Sequence, residues 1–300
     1  MNQRTLKKEY IFEGKGLHTG KYSRVLFRPA PAGTGIVFVR TDLGGAEIPA
    51  VASSVVSTRR STILSNGHGA RVGTVEHALS ALTGLDVDNA YIDVNCREMP
   101  ILDGSAAPYV AAMAPDGVQE QDAPRIWVEV PHEILVRNEK SGAWIKIVPA
   151  GEPSVQITID YNSKVLEAQT VRFDSSSDYA AEVAPCRTFC FLHEVLPLLC
   201  LGLARGGDVG NAIVVVEKPM KRWQARLMAR VLGKSAPEVV SSGYLCDPEL
   251  RFPDECARHK LLDILGDLRL CGGFLKARVE AYKPGHALNT RAAKEIFNKV

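Results

Sequence analysis

The stretch "TVEHALSALTGLDVDNAYIDVN", residues 74–95, turns the chain from strand texture to helix and back again. Thr74 reads as a helix cap, Val75, Ala78, Leu79 and Leu82 recur at helical spacing, and Gly84 supplies a stop. Residues 74–85 are therefore predicted as a helix of about three turns. "VDNAYIDVN" follows as a strand and "DGSAAPYVAAM", 103–113, as a second helix. Upstream, "EYIFEG", "RVLFRPA" and "GIVFVR" read as short strands punctuated by Gly and Pro. Strands followed by helices within one unit define an α+β arrangement.

The polar, proline-containing run "APDGVQEQDAPR", 114–125, is the expected linker. Beyond it "IWVEVP", "HEILVRN", "AWIKIVP" and "SVQITIDYN" read as a meander of strands. A helix containing His259, the strand "KARVEAYKP" and a last helix from about Leu288 close the chain. Both halves thus pass from strands to helices, and the expectation is two similar α+β domains, 1–122 and 123–300, each of layered sheet and helices. Direct sequence repetition between them is weak.

At 300 residues and 46% hydrophobic content the chain can bury one large core or two moderate ones. A formal net charge of +2 provides no basic field for nucleic acid. The seven cysteines are scattered without a Cys-x-x-Cys pair, which argues against a disulfide framework or a cysteine-rich zinc knuckle and for a reducing compartment. The opening "NQRTLKKEYIFEG" has no apolar signal core, and no later run reaches about 18 apolar residues. A soluble, cytoplasmic protein is expected.

In "ARHKLLDILGDLRLCGG", 257–273, His259 and Asp263 lie four apart, on one helical face, with Asp267 a turn further. Such a pair can share a metal ion. Equally, the aspartates can pair with Lys260, Arg258 and Arg269, and the histidine can be an ordinary core or surface residue. Glu76 and His77 set a carboxylate beside an imidazole near a helix start, like the end of an inverted His-x-x-Glu-His motif whose first position here is Gly73. Two histidines and an aspartate leave a tetrahedral metal one open position, the catalytic rather than the closed pattern, and Glu76 can then act as base. His286, after a Pro-Gly turn in "AYKPGHALN", can be a general acid held by Asp267, or a residue capping the next helix. Thr188 in "RTFCFL" can donate to a developing oxyanion, and Gly206 and Gly207 can make a tight turn near a ligand. Ordinary strand and turn roles fit both segments as well.

Together "GKGLHTGK" (14–21), "TVEHALSALTGLDVDNAYIDVN", "EMPILDGSAAPYV" (98–110), "RTFCF" (187–191), "LARGGDVGNAIVV" (203–215), "DECARHKLLDILGDL" (254–268) and "AYKPGHALN" resemble one family, the zinc-dependent UDP-3-O-acyl-N-acetylglucosamine deacetylases that commit material to lipid A synthesis. The segments run in family order over nearly the whole chain. The resemblance implies two α+β domains with the active site between them. It implies zinc held by His77, His259 and Asp263, with Glu76 as base, His286 oriented by Asp267 as oxyanion stabiliser and acid, and Thr188 on the carbonyl oxygen. It further implies that Phe189 lines the pocket, that Lys260 and Lys283 meet the substrate diphosphate, and that Tyr161 lies near the uracil. The same ligands suit iron(II). The implied substrate is a UDP-linked acylated glucosamine, with no nucleic acid partner, and a monomer is expected. Another amidohydrolase on this scaffold and a non-catalytic binder of nucleotide sugars or acyl lipids are the competing readings.

By the same resemblance residues 191–215 form an apolar passage for the acyl chain, although the leucines also suit a core helix. The chain departs from the family in a longer segment at about 217–245. Between Lys218 and Lys234 this carries six basic residues and no acidic one. Trp223, Leu227, Val231 and Leu232 recur at helical spacing there. A basic helix of this kind can rest weakly on an anionic membrane or pack on the protein with its charges in water.

Overall fold

Two sheets carry the chain, and each has its last strand in the middle. The computed structural model describes residues 1–299 apart from 201–204, 209, 233–234, 236–237, 239–241 and 247–248. In the first sheet the order is Tyr10–Lys15, Tyr22–Pro29, Ala90–Val94, Ile36–Arg40, Ala46–Pro49. The late strand Ala90–Val94 runs antiparallel to Tyr22–Pro29 and parallel to Ile36–Arg40. The second sheet repeats this plan as Ile134–Asn138, Ala143–Pro149, Phe274–Tyr282, Ser154–Ile159, Gln169–Asp174. Its late strand Phe274–Tyr282 is antiparallel to Ala143–Pro149 and parallel to Ser154–Ile159, and Trp127–Glu129 pairs in parallel with its start. The expected meander is thus split, because the chain returns about a hundred residues after Asp174 to fill the gap between two hairpins.

Helices are labelled in chain order as α1 (Glu76–Gly84), α2 (Ala107–Met113), α3 (Tyr179–Glu182), α4 (Leu192–Cys200), α5 (Arg222–Leu232), α6 (Glu255–Leu268) and α7 (His286–Phe297). α1 and α6 each precede the central strand of their sheet, and α2 and α7 each follow it. Between the outer strands and α1 lies a small three-stranded sheet, Val55–Ser57, Ile63–Ser65 and Arg71–Gly73. The corresponding place before α6 holds α4, α5 and the strands Phe189–Phe191, Ile213–Val216 and Gly243–Tyr244.

α1 and α6 pack against each other where Gly266 faces α1. A Cβ on Gly266 would fall on the Glu76 carbonyl, so only glycine lets the two backbones approach this closely. Ala78, Leu79, Leu82, Leu261, Leu262 and Ile264 are buried here in one continuous core that reaches Phe27 and Phe38 on one side and Ile145 and Ala292 on the other. Burying such a Leu or Ile contributes about 1.5–3 kcal/mol each, which holds α1 and α6 in register.

Several local expectations change. Thr74 is not a cap: it sits at φ 58° and its hydroxyl donates to Glu98 Oε1 at 3.3 Å, and α1 starts at Glu76. The second helix begins only at Ala107, because Asp103 Oδ1 accepts from the Ser105 N–H and hydroxyl and makes a turn of the residues before it. The expected linker is no free tether: Val118–Pro124 pairs antiparallel with Asn2–Leu6, so the 122/123 boundary falls inside a strand. In α5 the apolar side is Ala225 and Met228, packed with Met220, Leu192, Val195 and Val214 in a second small cluster, whereas Trp223 is 56% exposed. Of the residues at helical spacing, Leu227 packs against this cluster and Trp223 does not. The side chains of Val231 and Leu232, and all of Lys234, lie outside the described residues, as do 201–204 and 209 of the expected passage.

Candidate metal centre

His77 enters on the first turn of α1, while His259 and Asp263 enter one turn apart on α6. Their ligand atoms lie within 4.8 Å of one another, and all three residues are buried. His259 Nε2 is 3.3 Å and His77 Nε2 3.8 Å from Asp263 Oδ1. Ligands at about 2.0–2.2 Å from a tetrahedral ion stand about 3.3–3.6 Å apart, so the spacing fits one small divalent cation.

The remaining atoms agree with that fit. His259 Nδ1 is 3.0 Å from the Cys186 carbonyl, which makes Nδ1 the protonated nitrogen and turns the Nε2 lone pair to the cluster. Burial pushes His77 down to about 3, its neighbour His259 reinforcing the effect, and burial also lowers His259, so both imidazoles are neutral. Asp263 Oδ2 accepts from Lys260 Nζ at 2.7 Å, while Oδ1 is buried without a hydrogen-bond partner among the described residues. A bare carboxylate oxygen facing two buried imidazoles, at least one of which turns its lone pair to it, is an unsatisfied arrangement that a cation would satisfy.

Beside the cluster stand two proton-transfer groups. Glu76 Oε2 accepts the Thr62 N–H at 3.0 Å, and burial raises its carboxyl to about 7 despite the opposing charge of His286. His286, at the start of α7, has Nδ1 2.9 Å from Asp267 Oδ2 and Nε2 3.9 Å from both Glu76 and Asp263. Burial alone would depress this imidazole, but Asp267, Glu76 and Asp263 outweigh it and raise it to about 9. Asp267 is itself fixed by the Thr62 hydroxyl at 2.6 Å and the Asn289 amide at 2.9 Å.

The other expected residues divide. Thr188 and Phe189 line the same cavity of about 170 Å³ as the cluster, with Tyr161 and Lys260. The Thr188 N–H donates to the Gly104 carbonyl and its own carbonyl accepts from Ile213, both at 2.8 Å, leaving its hydroxyl uncommitted among the described residues. Lys260 lies 5.4 Å from the Phe189 ring centre, and Tyr161 meets Phe189 edge to face at 5.6 Å. Lys283 is not on the cavity wall: it pairs with Asp160 at 3.3 Å. The Gly206 N–H donates to the Leu17 carbonyl at 3.0 Å, and a Cβ there would fall on the Gly16 carbonyl, so this glycine closes the insert onto 14–21.

Sequence reasoning passed over three residues. His18 lines the cavity with a buried Nε2 that has no hydrogen-bond partner among the described residues. Glu98 holds the His18 loop by accepting the N–H groups of His18 and Thr19 at 2.7 and 2.8 Å. Arg60 lines the cavity from the turn before Ile63–Ser65. Only the spacing of Glu98 to "GKGLHTGK" in three dimensions, absent from the linear chain, would have revealed the first two.

Fold and site define an α+β protein with a buried two-histidine, one-aspartate cluster that can hold a metal ion, flanked by a carboxyl and an imidazole able to exchange protons. The comparisons with known proteins narrow the class. The chain belongs to the UDP-3-O-acyl N-acetylglycosamine deacetylase family, whose model matches residues 3–231 and 232–298. It is 40% identical over 301 residues to the bifunctional enzyme LpxC/FabZ of Bacteroides thetaiotaomicron, which covers 100% of this chain and 65% of that protein. It is 40% identical to the UDP-3-O-acyl-N-acetylglucosamine deacetylase of Myxococcus xanthus, over 99% of this chain and 87% of the relative. To the deacetylase of Acidithiobacillus ferrooxidans it is 41% identical, over 99% of this chain and 90% of the relative. The chain therefore spans just under two thirds, 64–65%, of the bifunctional relatives it matches. Among the described residues no helix is long and apolar enough to cross a membrane.

Proposed function

We propose that the chain is a metal-dependent amide hydrolase that removes the N-acetyl group of UDP-3-O-(3-hydroxyacyl)-N-acetylglucosamine, giving acetate and a free amine, the committed step of lipid A synthesis. The observation that carries this reading is the bare Asp263 Oδ1 between two neutral imidazoles, with Glu76 and His286 on the same cavity wall. His77, His259 and Asp263 hold the cation, zinc by preference of the nitrogen-rich set and iron(II) as the second choice. Bound there, the metal supplies a Lewis acid that polarises the amide carbonyl and makes a water more acidic.

The chain's own groups do the rest. Glu76 takes the proton of the attacking water as its oxygen bonds to the acetyl carbon. The Thr188 hydroxyl and the His286 imidazolium donate to the carbonyl oxygen as it gains negative charge. His286 then gives its proton to the departing nitrogen as the C–N bond breaks, and Asp267 keeps the ring aligned throughout. Phe189 shapes the pocket, Tyr161 offers a face to the uracil, and Lys260 and Lys283 meet the diphosphate, Lys260 from the cavity wall and Lys283 from beside Asp160. One chain supplies every one of these groups, which supports a monomer. The exposed cations of α5 add weak contact with an anionic membrane surface in a protein that works in the cytoplasm.

Assay of acetate release from the acylated UDP-sugar and from its non-acylated and non-uridylated analogues tests the reading. Turnover restricted to the acylated UDP-sugar is expected. Faster turnover of another acetylated sugar would favour a different amidohydrolase, and binding without acetate release would favour the non-catalytic binder.

A further inference from the structure

Two cavities meet beside the metal cluster. The second, about 120 Å³, is walled mainly by apolar side chains, Val195, Leu198, Ala212, Val214 and Met228 among them. Arg60 lines both cavities and is the only lysine or arginine on the second wall among the described residues. Its backbone is held at φ 70°, a conformation that side-chain-bearing residues rarely adopt, in the turn between Val55–Ser57 and Ile63–Ser65. Glu194, in the first turn of α4, lines the metal-side cavity and approaches from the other insert.

Arg60 Nη1 and Glu194 Oε2 are 3.7 Å apart, beyond a direct hydrogen bond. Neither side chain makes a hydrogen bond to any described residue. An oxygen about 2.8 Å from each fits this gap, and a hydroxyl satisfies both at once, accepting from the guanidinium and donating to the carboxylate. Beyond the pair the walls are mainly apolar, with His18, Thr188 and Asp208 as the polar residues among them.

We infer that Arg60 and Glu194 form a polar collar at the mouth of the apolar cavity and bind a hydroxyl carried by the acyl chain close to its ester. The inference rests on the deacetylase reading above. A plain acyl chain in the same place offers this half-exposed pair no hydrogen bond and takes water from it, so the analogue lacking the hydroxyl is disfavoured. Arg60 and Glu194 are therefore specificity-determining residues.

The test compares kcat/KM for acetate release from two UDP-sugar substrates that differ only by the hydroxyl at C3 of the acyl chain. The natural chain is expected to favour the hydroxylated substrate by about tenfold or more, the worth of a hydrogen bond to a charged group. Arg60→Leu and Glu194→Gln are expected to bring that ratio towards one, and Arg60→Lys to restore part of it, which a merely structural role would not do. Both side chains are partly exposed, and thermal unfolding of each variant checks the fold. A ratio unchanged in Arg60→Leu and Glu194→Gln, or no preference in the natural chain, overturns the collar and leaves the deacetylase reading intact. No acetate from either substrate overturns that reading itself.

Discussion

Asp263 gives its two oxygens different duties. Oδ2 is occupied by Lys260 while Oδ1 stays bare, so the ammonium fixes the carboxylate plane and leaves one oxygen for a cation. Replacing Glu76 by Gln keeps the shape and the ligands but removes the proton acceptor. A fall in kcat of about 10²–10⁴-fold with metal content unchanged is expected, measured by acetate release and elemental analysis. Asp267→Asn weakens the hold on His286 Nδ1, and a loss of about 10–100-fold is expected in the same assay. The four-residue spacing of His259 and Asp263 was readable in the chain because helical geometry is local. The orphaned His18 Nε2 and the Arg60–Glu194 gap were not, since each depends on segments brought together by the fold.

The site exists because two helices touch. Gly266→Ala sets a methyl group on the Glu76 carbonyl, so α1 must move away from α6 and carry His77 with it. A stability loss of about 1–3 kcal/mol in urea unfolding, with weaker metal retention on dialysis, is the expected outcome. α5 behaves differently: Arg222, Arg226 and Arg230 are exposed and its apolar side is Ala225 and Met228, so changing all three arginines to Gln is expected to alter stability by less than about 0.5 kcal/mol each. Loss of sedimentation with anionic liposomes in that variant would support surface contact, and unchanged sedimentation would remove it. α1, α6 and the outer strands were legible from periodicity and glycine stops. The middle position of Phe274–Tyr282 was not, because strand order is set by long-range pairing and leaves no mark on the alternation of one strand.

Across the molecule the first sheet with α1 and α2 and the second with α6 and α7 repeat one plan of strand order and direction. The sequence carried the order of strands and helices in each half but too little identity to reveal the shared topology, which backbone pairing preserves while side chains diverge. The insert before α6 is tied in by a buried ion pair, Arg187 Nε to Glu255 Oε1 at 2.8 Å, with Arg251 N–H donating to Glu255 Oε2 at 2.8 Å. Burial would raise the Glu255 carboxyl, but the Arg187 side chain and the N–H groups of Arg187 and Arg251 outweigh it and hold it below the usual range. A depressed folded-state value stabilises the protein above the unfolded value of about 4.3 and ceases to do so as pH falls through the folded one. Natural-chain stability is expected to drop more steeply below about pH 4.5 than that of Glu255→Gln, followed by urea unfolding across pH. The central claim, that one cation held by His77, His259 and Asp263 is required for turnover, is tested most directly by stripping the protein with a chelator and returning zinc in steps while acetate release from the acylated UDP-sugar is followed. Activity should vanish on stripping and climb to a plateau at one ion per chain. Acetate release that continues undiminished in metal-free protein would contradict the account.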